Sequence, residues 1–199
     1  MSIAVPQPRV LADVVPRTWV RQLVLVVGGA AFVGLSAQIA IPLPFTPVPL
    51  TLQTFAVLLT GAALGSMRGA LSMALYAVVG MVGVPWFAQG ASGYSAPYFG
   101  YILGFIVAAF IVGRIAEHGA TRSVARTAGL MIVGNLVIYA IGVTWLKFAL
   151  GVDFATAIAL GATPFLIGDA IKIAAAAGWL PLTWRGLRMQ SERPVVDGV

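Results

Sequence analysis

Thr163-Pro-Phe-Leu-Ile-Gly-Asp-Ala-Ile-Lys-Ile-Ala-Ala-Ala-Ala-Gly178 is the stretch on which the reading of this chain turns. It is apolar enough to enter a bilayer, yet it carries Asp169 and Lys172. Three residues apart on a helix, these two leave the same face. A charge near the middle of a membrane helix costs about 2.5–3.5 kcal/mol even on the gentler insertion scales, so such a face turns to the bundle interior or to a cavity. Gly168, Ala175 and Ala176 share that face and are small enough to let another helix or a ligand come close. A self-neutralising ion pair that only fixes one helix against its neighbours is the plainer reading. A ligand site is the reading that intramembrane ionisable residues favour.

Composition supports a membrane setting. Of 199 residues, 60% are hydrophobic and 9% charged, whereas a soluble domain carries about 25% charged residues. The net charge of +6 does not point to nucleic acid, because the basic residues stand singly between apolar runs, as flanks of membrane spans do. The chain has no cysteine, which excludes disulfides and thiolate metal sites. His118, the one histidine, lies in Glu117-His-Gly119 between two apolar runs and reads as a solvated loop residue. No metal or cofactor is expected. The first apolar run follows three arginines as a signal peptide would, but it is too long and lacks a clean cleavage site, so it reads as a retained span.

Six apolar spans follow in order. Residues 1–18, with Pro6, Pro8 and Pro16, read as a cytoplasmic lead-in, residues 19–185 as the transmembrane domain and residues 186–199 as a cytoplasmic tail. The first span covers about 20–41 and holds Ala30 and Gly34 at the small-xxx-small spacing that lets helices touch, either within the chain or with a partner. Four prolines then fall within Ile41-Pro-Leu-Pro-Phe-Thr-Pro-Val-Pro-Leu50. Such a segment is stiff and non-helical, and being apolar and uncharged it suits a strap over the bundle mouth. Gln53 opens the second span, about 51–67, and could solvate the helix start or offer its amide to a ligand. A turn at 66–69 leads to the third span, which stops near Val84 ahead of Pro85. The uncharged loop 87–97, which includes Tyr94, is an ordinary connector or a second flap. The fourth span runs about 98–115 and the fifth about 127–149, with Asn135 and Tyr139 one turn apart. A loop at 151–161 precedes the sixth span, which ends near Trp184.

The arginines set the expected orientation. Arg9, Arg17, Arg21, Arg68, Arg114, Arg122, Arg126, Arg185, Arg188 and Arg193 all fall on one side of the six crossings, and the opposite loops hold none. By the positive-inside rule both termini are cytoplasmic. Asp169 then lies toward the outer face, on the same side as the strap and the 87–97 loop. The expected fold is an all-α membrane protein of six transmembrane helices.

Pro44-Phe-Thr-Pro-Val-Pro-Leu-Thr-Leu-Gln53, taken with Gly168-Asp-Ala-Ile-Lys172, resembles the BioY family, the biotin-specific S components of energy-coupling factor transporters. Weaker matching stretches are Leu64-Gly-Ser-Met-Arg-Gly-Ala70, Gly83-Val-Pro-Trp-Phe-Ala88 and Gly100-Tyr-Ile-Leu-Gly-Phe105. The resemblance implies a subunit of the bacterial cytoplasmic membrane that binds biotin near the outer surface, with Asp169 and Lys172 on the ligand. Gln53, Gly168, Tyr94 and Tyr101 are the further expected contacts. It also implies a transmembrane coupling protein and two ABC-type ATPases as partners, with the Ala30/Gly34 strip as docking face; a homo-oligomer is compatible with the same pattern. The chain departs from the family at Ala96-Pro-Tyr-Phe-Gly-Tyr101, where many members carry a longer Gly-rich loop and some a basic residue. It has no Gly-x-x-x-x-Gly-Lys-Ser/Thr phosphate loop, so ATP hydrolysis by that route lies outside it. Two rivals stand beside this reading. An intramembrane enzyme would have only Asp169 and Lys172 to work with, and no enzymatic activity is expected. A stand-alone secondary vitamin transporter would use Asp169 to take up protons.

Overall fold

The computed structural model describes residues 9–14 and 18–191, with side chains through Leu187. Most of the expected lead-in and tail, including Arg17, Arg193 and the side chain of Arg188, lies outside the described residues. Helix α1 is Trp19–Ala37, capped by Thr18, whose hydroxyl accepts from the Arg21 amide. It ends four residues before the expected boundary because the chain turns into a two-residue ladder. Strand β1 (Ala40–Ile41) pairs antiparallel with β2 (Leu50–Thr51), with Ala40 opposite Thr51 and Ile41 opposite Leu50. The Pro-rich segment is therefore a loop closed at its neck. Thr46 pins its far end, its hydroxyl donating to the Leu160 carbonyl at 2.8 Å.

Helix α2 (Gln53–Leu64) and helix α3 (Ser66–Met81) are separated by the single residue Gly65, whose φ of 88° suits glycine. The turn falls before the expected Ser66–Gly69, because Glu117 from the end of the next helix caps α3. Its carboxylate accepts from the backbone amide and the hydroxyl of Ser66, both at 2.8 Å. That helix, α4 (Phe99–Ala116), lies at the centre and packs on α2, α3 and α5. Close approach explains glycines on both sides of its contacts: a Cβ on Gly113 of α4 would stand 2.4 Å from the Gly65 and Ser66 backbone, and one on Gly61 of α2 would stand 2.7 Å from the Ala109 carbonyl oxygen of α4. Here helices meet backbone to backbone, as they do where lipid removes the hydrophobic drive for association.

Helix α5 is Val124–Leu150 and stops at Gly151, which has φ 66°. Lys147 near its end stands over the rings of Phe148 and Phe154. The expected loop at 151–161 is instead mostly a short helix, α6 (Phe154–Gly161). Asp153 caps it, its carboxylate accepting from the Thr156 amide at 2.7 Å, and the alanines that follow favour helix. A 3-10 turn at Thr163–Phe165 holds Pro164, and α7 runs from Leu166 to Ser191 with Pro181 inside it.

The described residues thus form seven α-helices, one of them the short α6. Helices α1, α4, α5 and the α6–α7 segment are long and apolar enough to cross a membrane. Helix α2 has 12 residues, about 18 Å at 1.5 Å per residue, so the strap and its ladder complete that side of the bundle. At the end away from the strap, Asp13 bonds to Arg68 at 2.6 Å. Burial works against the charge of Asp13, but the hydrogen bond and attraction of Arg68 hold its carboxyl below the usual range.

Candidate functional site

Three helices bring one polar group each, or two, to a common point. From α7, the Lys172 ammonium donates to Asp169 Oδ1 at 3.1 Å and to Thr54 Oγ1, on α2, at 2.9 Å. From α5, the Tyr139 hydroxyl donates to Asp169 Oδ2. Asp169 is only 4% exposed. A buried carboxylate survives there because both of its oxygens accept hydrogen bonds and a cation stands beside it.

The cluster closes one end of a pocket beneath the strap. Its roof is the strap, through Val48, Pro49 and Leu50, and its walls are largely aromatic and aliphatic: Tyr98, Tyr101, Ile102, Phe105 and Phe165. Asp169 and Lys172 are the only charged residues among those described that line it. The pocket is therefore apolar along its length and strongly polar at one end, a shape that suits a small amphiphilic ligand carrying a compact hydrogen-bonding head.

The expected contacts are placed unequally. Gln53 lines the pocket, but its amide nitrogen donates to the Tyr76 hydroxyl at 2.6 Å. Tyr101 also lines it, offering its ring, since its hydroxyl donates to the Gly161 carbonyl at 2.7 Å. Gly168 stands behind the wall, where its missing side chain admits Leu50 of the strap. Tyr94 is 69% exposed and is not among the lining residues; from the 87–97 loop only Ala88 reaches the pocket. Of the expected small face on α7, Ala176 is buried and Ala175 is exposed.

Ala30 and Gly34 turn inward. Ala30 is buried in the core, and a Cβ on Gly34 would stand 3.0 Å from the Trp86 ring. In this structure the strip packs within the chain and is not available as a docking face. The exposed face of α1 carries Val24, Gly28, Ala31 and Leu35 instead.

Tyr139 and Thr54 were absent from the expected set. Tyr139 did leave a signal, as one of two polar side chains a turn apart in an apolar span. Thr54 left none, because a threonine beside a helix start has many uses.

The sequence pattern of the BioY family matches residues 7–189. The chain is 39% identical over 160 residues to the biotin transporter BioY of Thermotoga maritima, covering 79% of this chain and 92% of that protein. It is 37% identical over 153 residues to the biotin transporter BioY2 of Lactococcus lactis subsp. cremoris, covering 75% and 82%. Among solved structures it is similar to the S-component for biotin from an ECF-type ABC transporter, with a TM-score of 0.74 at 22% identity, over 89% of this chain and 96% of that one.

Proposed function

The chain belongs to the BioY family, and from that membership we propose that it is a membrane subunit that captures biotin for uptake. The observation that carries the proposal is the buried Asp169–Lys172–Tyr139–Thr54 cluster at one end of an otherwise apolar pocket. Biotin's ureido ring presents two N–H donors and one carbonyl. A carboxylate has about four acceptor positions, and two of those on Asp169 are taken by Lys172 and Tyr139. The rest can receive one of the ureido N–H groups as a charge-assisted bond. Lys172 stands beside that carboxylate and sets a positive charge near the ureido oxygen. The thioether ring and the alkyl tail then pack on the strap and the aromatic wall.

Titrating the purified full chain with biotin, with no other subunit present, tests this reading. Saturable one-site binding of biotin is expected, and its absence would overturn the proposal.

On the likeness to an S-component of an ECF-type ABC transporter, the energy for uptake comes from a coupling protein and ABC-type ATPases, the chain itself having no phosphate loop. Docking uses the exposed face of α1, where Gly28 has open space around it. Gly28→Leu is expected to block assembly with the coupling protein and leave biotin binding intact. Assembly that proceeds normally in this variant would remove α1 from the interface. Uptake in liposomes by the chain alone, driven by a proton gradient, would favour a secondary transporter instead.

The chain crosses the bacterial cytoplasmic membrane six times with both ends inside, in keeping with its one-sided arginines. Irregular backbone at membrane depth is tolerated where it lines a cavity, and the four strap prolines have no N–H to leave unbonded. Single cysteines at Ser92 and Ser123 are expected to label from outside and inside respectively. The reverse pattern would invert the orientation.

A further inference from the structure

A second, smaller chamber lies deeper in the bundle than the main pocket. Lys172 and Thr54 line both, so their hydrogen-bonded pair forms the partition between them. The chamber's other walls are apolar, from Phe55, Leu58, Met131 and Ile173, with one exception. Asn135 lines it at 7% exposure, and among the described residues its carboxamide has no hydrogen-bond partner. Folded proteins satisfy nearly all such groups, with protein or with ordered water. The chamber has room for about one water molecule. On its other side the Lys172 ammonium has three N–H donors, of which Asp169 and Thr54 take two.

We infer that one buried water bridges the Asn135 carboxamide to the Lys172 ammonium, making Asn135 a positioning residue for the ligand-binding pair. The water accepts from the ammonium and donates to the carboxamide oxygen. A cation is excluded from the chamber by the ammonium in its wall, and a polyatomic anion by its size. Held on three sides, the ammonium keeps a fixed place at the pocket floor. It presents its charge to the ligand, not a free N–H, and it holds Asp169 in one orientation. This inference rests on the binding role proposed for Lys172.

Asn135→Leu removes the amide and fills the chamber with apolar atoms. Biotin affinity is expected to fall about tenfold, because the ammonium is no longer held in one place beside the ligand. The melting temperature is expected to hold, because leucine fills with apolar atoms the space that the amide and its water occupied. A purely structural asparagine would lower both together, and that result would overturn the inference. Asn135→Ser, which keeps a hydrogen-bonding group, should retain affinity within about threefold. Asn135→Val repeats the removal with less bulk should the leucine variant fail to fold. The decisive comparison is on a Lys172→Met background, where Asn135→Leu should change biotin affinity by less than about twofold, since residues acting through one another are not additive. An equal loss on both backgrounds, or no loss in the first, would sink the inference and leave the binding site standing. Unchanged affinity in Lys172→Met itself would remove the binding reading and this inference together.

Discussion

Asp169→Leu alone is expected to weaken biotin binding by about ten- to a hundredfold and to destabilise the protein by about 3–5 kcal/mol. The two losses have separate causes. The affinity loss comes from the ureido N–H that gives up a charge-assisted bond worth about 1.5–3 kcal/mol, which corresponds to about one to two decades in dissociation constant. The stability loss comes from what remains behind. Lys172 would keep Thr54 as its only protein partner among the described residues, with its side chain just 14% exposed, and the Tyr139 hydroxyl would lose its acceptor. An uncompensated buried charge is far more costly than an absent pair. Melting of the purified variant in detergent, alongside a biotin titration, measures both. A variant as stable and as tight as the parent would mean that the carboxylate neither anchors the ammonium nor meets the ligand.

The parts of this site that were legible in the sequence are those fixed by one helix or one local rule. Asp169 and Lys172 share a face because of helical period, and their charge in an apolar run marks that face as interior. The strap was legible because proline excludes helix and because an apolar loop without charge needs something to cover. Partners supplied by other helices were not, since they depend on how each helix is rotated about its axis. Tyr139 and Thr54 meet the pair only after α5 and α2 have packed against α7. The same ignorance of rotation misplaced the α1 strip. The spacing of Ala30 and Gly34 permits close approach, but nothing in it says whether the neighbour is Trp86 of the same chain or another protein. Gln53 and Tyr101 were found as residues while their hydroxyl and amide partners were not, because Tyr76 and Gly161 lie 23 and 60 residues away. Helix α6 was missed for a different reason: it has 8 residues, too few for periodicity to separate from a loop, and its Asp153 cap was the available signal.

The double variant Asp169→Leu/Lys172→Met separates a ligand site from a self-neutralising pair. Buried ion pairs often exchange for apolar residues of similar volume at little cost, so most of the stability lost in the single variant should return. If the pair only fixes α7 against its neighbours, ligand binding should return with it. If the pair reads biotin, the fold recovers and the ligand does not. The measurement is the dissociation constant for biotin of the purified, folded double variant beside that of the parent. The account predicts a loss of at least about a hundredfold; a folded double variant that binds biotin as tightly as the parent would contradict it.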